Sequence, residues 1–119
     1  VEVGDFAILG GFSGIHQFCR IGAHALTGVG SVVLSDVPPY VTCMGNVAKP
    51  HGVNLEGLKR RGFQKDAIKA IRDAYKTLYR KGLTLKDARD AIDEASKDCQ
   101  DLEIMARFLH TTSNRSIVR

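Results

Sequence analysis

Four side chains able to grip a nucleotide fall in one eight-residue stretch: Asn54, Glu56, Arg60 and Arg61. A guanidinium is a planar, multidentate donor for phosphate oxygens. An amide offers donors and an acceptor, and a carboxylate accepts from ribose hydroxyls or a base N–H. The same run, Asn-Leu-Glu-Gly-Leu-Lys-Arg-Arg-Gly, is also an ordinary solvated helix start. Residue types and spacing leave both readings open.

Other chemistries find less material. Cys19, Cys43 and Cys99 stand at wide spacings that give no zinc-ligand set and no disulfide framework. Such usage favours a reducing compartment, and the cytoplasm is the expected location. No catalytic Ser–His–Asp set, phosphate-cradling glycine loop or metal cluster can be read, so no cofactor is expected. The 119 residues are 44% hydrophobic and 25% charged, an ordinary globular composition. No apolar run approaches 20 residues, so no membrane span is expected. The formal net charge of +4 is uneven. Lys49 to Gly82 holds ten cations against three acids, which suits phosphates or an acidic protein partner as well as a solvated helix face.

The elements that must position these groups follow two periods. Val3, Leu9, Ile15, Ile21, Thr27 and Val33 recur every six residues, and all but Thr27 are aliphatic. The next residues are Gly4, Gly10, His16, Gly22, Gly28 and Leu34, so His16 interrupts a glycine register. Four positions after each anchor come Ala7, Ser13, Cys19, Ala25, Ser31 and Val37, small in all but the last. The pattern resembles the hexapeptide repeat of the left-handed parallel β-helix, in which three hexads complete one coil. No repeat of this kind buries its own face, so coils must stack. The chain opens inside a repeat, at Val1-Glu2-Val3-Gly4, and is expected to carry only the last coils of a longer β-helix.

Pro38 and Pro39 end the repeat. Residues 41 to 54, with Gly45, Pro50 and Gly52, read as a connector. A helical period then runs through Ala67, Ile68, Ile71, Tyr75, Leu78 and Tyr79 to a stop at Gly82. Thr84 with Asp87 predicts the start of a second helix with Ala88, Ala91, Ile92 and Ala95 on its apolar face. Leu102, Met105, Phe108 and Leu109 predict a third. The polar, basic tail from His110 to Arg119 is expected to be poorly ordered. The expected division is a β-helix end at 1–37, a connector with the nucleotide-contacting stretch at 38–61, and a small α-helical domain at 62–119.

Gly14–Leu26 (GIHQFCRIGAHAL), Ser35–Val41 (SDVPPYV) and Gly52–Phe63 (GVNLEGLKRRGF) together make the chain similar, over essentially its whole length, to the acyl-carrier-protein-dependent UDP-N-acetylglucosamine O-acyltransferases of lipid A synthesis. The resemblance implies transfer of a 3-hydroxyacyl group from acyl carrier protein to the sugar 3-hydroxyl, in a homotrimer with active sites between subunits. It makes Asn54, Glu56, Arg60 and Arg61 the nucleotide contacts and places His16 and Gln17 in the active-site cleft. His24 is less strongly implicated. Val29, and secondarily Leu26, would set acyl-chain length. The basic side chains Lys65, Lys69, Arg72, Lys76 and Arg80 would dock the acidic carrier protein. The general base of that family is a histidine in an Ala-His-Asp context on an earlier coil. None of His16, His24, His51 and His110 stands in that context, so this stretch holds no catalytic residue and is expected to be inactive alone.

Two other readings remain. A different hexapeptide sugar acyltransferase would usually lack the Asn-x-Glu-Gly-Leu-Lys-Arg-Arg stretch. A trimerising or nucleotide-binding module needs no base. Nucleic acid is not an expected partner, because Tyr75 and Tyr79 fall on the apolar helix face and offer no stacking platform.

Overall fold

Every sixth residue begins a two-residue strand: β1 (Glu2–Val3), β2 (Ile8–Leu9), β3 (Gly14–Ile15), β4 (Arg20–Ile21), β5 (Leu26–Thr27) and β6 (Val32–Val33). Each pairs in parallel with the strand eighteen residues along, Glu2 with Arg20, Ile8 with Leu26 and Gly14 with Val32. Three hexads therefore make one coil, and the strands form three separate sheets, as in a parallel β-helix. These relations come from a computed structural model that describes residues 1–111 and 116–119. The chain divides into two units, Val1–Asn54 with the last residues of the chain, and Leu55–Thr111.

Between strands the chain turns a corner, and the corners also recur every six residues. Phe6, Phe12, Phe18 and His24 have φ of 60°, 59°, 66° and 60°, and Gly30 has 72°. A non-glycine residue in this left-handed region costs roughly 1–2 kcal/mol. Backbone bonds between coils offset that cost, among them Gly4 N–H to Ile21 O at 2.7 Å and Gly10 N–H to Thr27 O at 2.8 Å. At one corner the rings also stack. Phe6 lies 5.1 Å from His24, and His24 5.5 Å from Tyr40, itself at φ 71°.

The glycine register has a steric cause. A Cβ on Gly4 would lie 2.5 Å from Ala23 N, and one on Gly22 would lie 2.3 Å from Pro39 N. The next coil occupies that space. The interior is filled from the second coil onward, by Cys19, Ile21, Ala25, Thr27, Ser31 and Val33. Thr27 is satisfied there, accepting from Gly10 N–H at 3.2 Å and sharing a bond with Ser13 Oγ at 2.9 Å. The first-coil anchors Val3 and Leu9 stay exposed.

After Val33 the coil shortens. Ile21 bridges Val37 and Leu26 pairs with Thr42, sixteen residues apart, and Val32 bridges Asn46, fourteen apart. The supposed connector is mostly strand. β7 (Val41–Met44) joins β5 in parallel, and β8 (Lys49–Val53) pairs antiparallel with β7. Pro50 and Gly52 argue against a central strand, but β8 is the outermost strand of its sheet, where a missing donor costs little.

The tail expectation is corrected for residues 116–119; residues 112–115 lie outside the described part. Asp36 N–H donates to Ser116 O and Val118 N–H donates to Asp36 O, both at 2.8 Å, while Ile117 and Val118 are buried. Two aliphatic residues thus give a basic tail something to bury. The buried Asp36 carboxylate accepts from Arg20 N–H at 2.9 Å and Arg20 Nε–H at 3.0 Å.

The second unit is helical: α1 (Leu55–Arg60), α2 (Lys65–Tyr79), α3 (Leu85–Ser96), a 3-10 turn (Gln100–Leu102) and α4 (Glu103–His110). α2 packs on α3, α3 on α4, and the 3-10 turn meets all three. Ile71, Ala74, Tyr75 and Leu78 from α2, Ala88 and Ile92 from α3, and Leu102, Met105 and Leu109 are buried. Thr84 caps α3, its Oγ1 accepting from Asp87 N–H at 3.1 Å.

Candidate functional site

The stretch from Asn54 to Arg61 straddles the division between units. Asn54 ends the first segment of the coil unit and is buried. Its backbone N–H donates to Tyr40 O at 2.7 Å, and its side-chain Nδ2 donates to His24 O at 3.1 Å. Its amide therefore latches onto the coil corner that carries the stacked rings.

Glu56, Arg60 and Arg61 belong to the helical unit. α1 is short because Gly62, at φ +78°, ends it. Gly62 N–H donates to Lys59 O and Phe63 N–H to Leu58 O, both at 3.1 Å, the paired bonds of a Schellman ending. Lys59, Arg60 and Arg61 thus cluster where the helix dipole is negative, which favours cations. Glu56 and Arg60 meet directly at 3.4 Å and are about three-quarters exposed. Such a pair is worth only about 0.3–0.5 kcal/mol, so an incoming phosphate can compete for Arg60 at small cost. Arg61 is exposed beside it.

In the coil unit His16 and Gln17 lie exposed at the turn between β3 and β4. The backbone of His16 is fixed by its N–H to Val33 O at 2.9 Å and by Cys19 N–H donating to its carbonyl at 3.2 Å. Their side chains face solvent on a rigid backbone. Leu26 is part-buried in β5, and Val29 is 79% exposed two residues beyond the strand. His24 is held at the middle of the ring stack rather than presented as a free imidazole.

The helical unit carries a groove of about 340 Å³ with cationic walls, formed by Lys59, Lys65, Lys69, Arg72 and Lys76, and Leu55 and Ile68 among its lining. Asp73 also lines it, paired with Lys69 at 3.1 Å. Of the five α2-region cations expected to form a docking surface, Lys65, Lys69, Arg72 and Lys76 share this groove. Arg80 instead lies over the Tyr75 ring, 5.9 Å from its centroid. Lys59 and Leu55 were not expected on this surface, and Ile68 was expected only on the apolar face of α2. Gly62 separates Leu55 and Lys59 on α1 from Lys65 and Ile68 on α2, so no single helical period links the two sides of the groove. Among the described residues no cluster of His, Cys, Asp and Glu could hold a metal. Burial pushes the Cys43 thiol up to about 11, so it has no nucleophilic character near neutral pH. No helix among the described residues is long and apolar enough to cross a membrane.

Comparison with known proteins covers both units. The family described as Udp N-acetylglucosamine O-acyltransferase, Domain 2, matches residues 36–118. The chain is 52% identical over 118 residues to the acyl-[acyl-carrier-protein]–UDP-N-acetylglucosamine O-acyltransferase of Thiobacillus denitrificans, covering 99% of the chain and 45% of that protein. Its likeness to the enzyme of that name in Burkholderia orbicola is 48% over 123 residues, covering 100% of the chain and 47% of that protein. The crystal structure of Francisella novicida UDP-N-acetylglucosamine acyltransferase superposes with a TM-score of 0.94 at 44% identity, over 98% of this chain and 43% of that one. The coils are left-handed, as in such structures. The chain spans about half the length of the curated relatives it matches.

Proposed function

The chain belongs to the UDP-N-acetylglucosamine O-acyltransferase family, and on that premise we propose that it is part of an enzyme that moves a 3-hydroxyacyl group from acyl carrier protein to the 3-hydroxyl of UDP-N-acetylglucosamine, the first step of lipid A synthesis. The observation that carries this reading is likeness along 99% of the chain to a relative named for both substrates. The sugar oxygen attacks the thioester carbonyl, a C–O bond forms and the C–S bond breaks. A general base takes the hydroxyl proton, which ends on the departing carrier thiol. No histidine of the chain stands in the family's Ala-His-Asp context. The 119 residues alone therefore lack general-base assistance, a loss on the order of 10²–10⁴-fold.

The chain's own residues bind and orient. Arg60 and Arg61 grip the phosphates of the nucleotide, and Glu56 accepts from its ribose or base. Asn54 completes the nucleotide set. His16 and Gln17 hydrogen-bond the sugar or the thioester arm from their fixed turn. Leu26 and Val29 limit the length of the acyl chain. The groove walled by Lys59, Lys65, Lys69, Arg72 and Lys76 docks the acidic carrier by steering and contact, so raising the salt concentration should raise the KM for the carrier. The working form is a cytoplasmic homotrimer with sites between subunits.

The test is to supply the full-length protein carrying this chain with UDP-N-acetylglucosamine and 3-hydroxyacyl carrier proteins of graded length, and to follow the acylated sugar nucleotide by mass spectrometry. Turnover with a preferred length is expected. A folded protein that binds the nucleotide but makes no acylated product would leave a binding module in place of an enzyme.

A further inference from the structure

The corner that carries Val29 is a tight turn over residues 28–31. Ser31 N–H donates to Gly28 O at 3.2 Å, and Gly30, third in the turn, has the positive φ of 72° that a type II turn needs there. The same closure recurs at 4–7, where Ala7 N–H donates to Gly4 O at 3.3 Å, and at 22–25, where Ala25 N–H donates to Gly22 O at 3.2 Å. Those two turns end in alanine, so the corner forms without a side-chain bond. The turns at 10–13 and 28–31, eighteen residues apart, end in serine instead. Ser31 is fully buried, and its hydroxyl donates to Gly28 O at 2.6 Å. Ser13 Oγ lies 2.7 Å from Gly10 O, 2.9 Å from Thr27 Oγ1 and 3.3 Å from Gly28 O. A hydroxyl has one proton to give. Given along the shortest contact, to Gly10 O, it leaves Ser13 Oγ to accept from Thr27 Oγ1, which itself accepts from Gly10 N–H at 3.2 Å. Hydroxyls thus tie the two coils together at the Val29 corner.

Val29 is second in this turn, and the groups around it are fixed from several sides. Gly28 N–H donates to Cys43 O at 2.9 Å, and Gly30 N–H donates to Gly11 O at 2.8 Å. A Cβ on Gly10 would lie 2.8 Å from Val29 N, so the peptide joining Gly28 to Val29 rests directly on the preceding coil. The Ser31 hydroxyl holds the carbonyl of that same peptide. The tilt of the peptide sets the direction in which the Val29 side chain leaves the corner. We propose that Ser31 is a positioning residue for acyl-chain selection: its buried hydroxyl locks the Gly28–Val29 peptide, so that Val29 meets the acyl chain as a rigid stop. The proposal rests on the reading of Val29 as a chain-length residue. A stop free to tilt admits further methylenes at little cost, and a locked one excludes them.

The experiment uses the full-length protein carrying this chain and an equimolar mixture of two 3-hydroxyacyl carrier donors, the preferred length and one longer by two methylenes. Product ratios are read by mass spectrometry for the parent, Ser31→Ala, Val29→Gly and the double variant. Ser31→Ala removes one oxygen, and Ala7 and Ala25 close the same turn, so the variant is expected to fold. Its preference for the shorter donor is expected to fall by roughly fivefold, the equilibrium factor that one net hydrogen bond contributes. Ser31→Cys, with a weaker donor in the same place, should move the ratio the same way by less, and it decides the matter if Ser31→Ala misfolds. In the Val29→Gly background Ser31→Ala is expected to change nothing more, because the stop it holds is gone. A ratio that moves with Val29→Gly but not with the Ser31 variants, or that Ser31→Ala moves equally in both backgrounds, overturns the role of Ser31 and leaves that of Val29 standing. A ratio unmoved by Val29→Gly, from an enzyme that still turns over, overturns the chain-length reading itself and this proposal with it.

Discussion

In the coil unit a side chain is placed by what stands eighteen residues earlier; in the helical unit it is placed by what stands three or four residues earlier. At three glycines the coils leave no slack. Gly4, Gly10 and Gly22 each meet the backbone of the next coil at distances no Cβ could occupy, and Asp36 is buried with its carboxylate bonded twice to Arg20. The helices are looser. Their glycines at 62 and 82 open into empty space, and their ion pairs, such as Lys69–Asp73, lie on the surface. A long-range backbone register gives rigid placement, which suits a surface that must hold reacting groups. Short-range packing tolerates change, which suits a surface that recognises a partner through charge.

The sharpest way to break this comparison is to remove a carboxylate from each unit. Asp36→Ala takes the partner from a largely buried guanidinium and should cost roughly 3–5 kcal/mol in equilibrium urea unfolding. Asp73→Ala, at an exposed pair, should cost no more than about 0.5 kcal/mol. Equal losses would show that burial does not separate the units. The next contrast adds one methyl group to a glycine. Gly22→Ala must move the coil bearing Pro39 and should cost about 3 kcal/mol. Gly82→Ala, at φ +67° in open space, should cost about 1 kcal/mol from backbone strain alone. If thermal unfolding places the two variants together, the coils can spread and the rigid reading fails. The smallest effect refines the helical side. Thr84→Ala removes the oxygen that caps Asp87 N–H and should cost about 1 kcal/mol, with helical circular dichroism retained.

How legible each unit was in the sequence follows the same division. The six-residue period gave the register of β1 to β6 because small and aliphatic residues repeat in place. The helical period found α2 to within two residues of its start, since Ile71, Tyr75 and Leu78 are all buried. The corners went unread. Phe6, Phe12, Phe18 and His24 have no intrinsic preference for positive φ, and only their own spacing of six betrays them. The β7–β8 hairpin was hidden by Pro50 and Gly52, which signal a loop unless the strand is known to be outermost. The Arg20–Asp36 pair and the returning tail were invisible because sixteen and eighty-one residues separate the partners and no local pattern links them. In the candidate site, residue chemistry pointed to Arg60 and Arg61. Nothing local showed that Asn54 would be buried against His24, or that Lys59 would join the α2 cations.

The return of the tail also bears on how the protein is made. Ile117 reaches the ribosome exit eighty-one residues after Asp36, its neighbour in the folded chain. At about 5–20 residues per second, the wait is roughly 4–16 seconds. During that time the whole helical unit emerges while the edge at Asp36 stands open to pair with any other nascent strand. Synthesis of residues 116–118 is therefore the step that pairs Asp36, and a chain without them would leave that edge open for the life of the molecule.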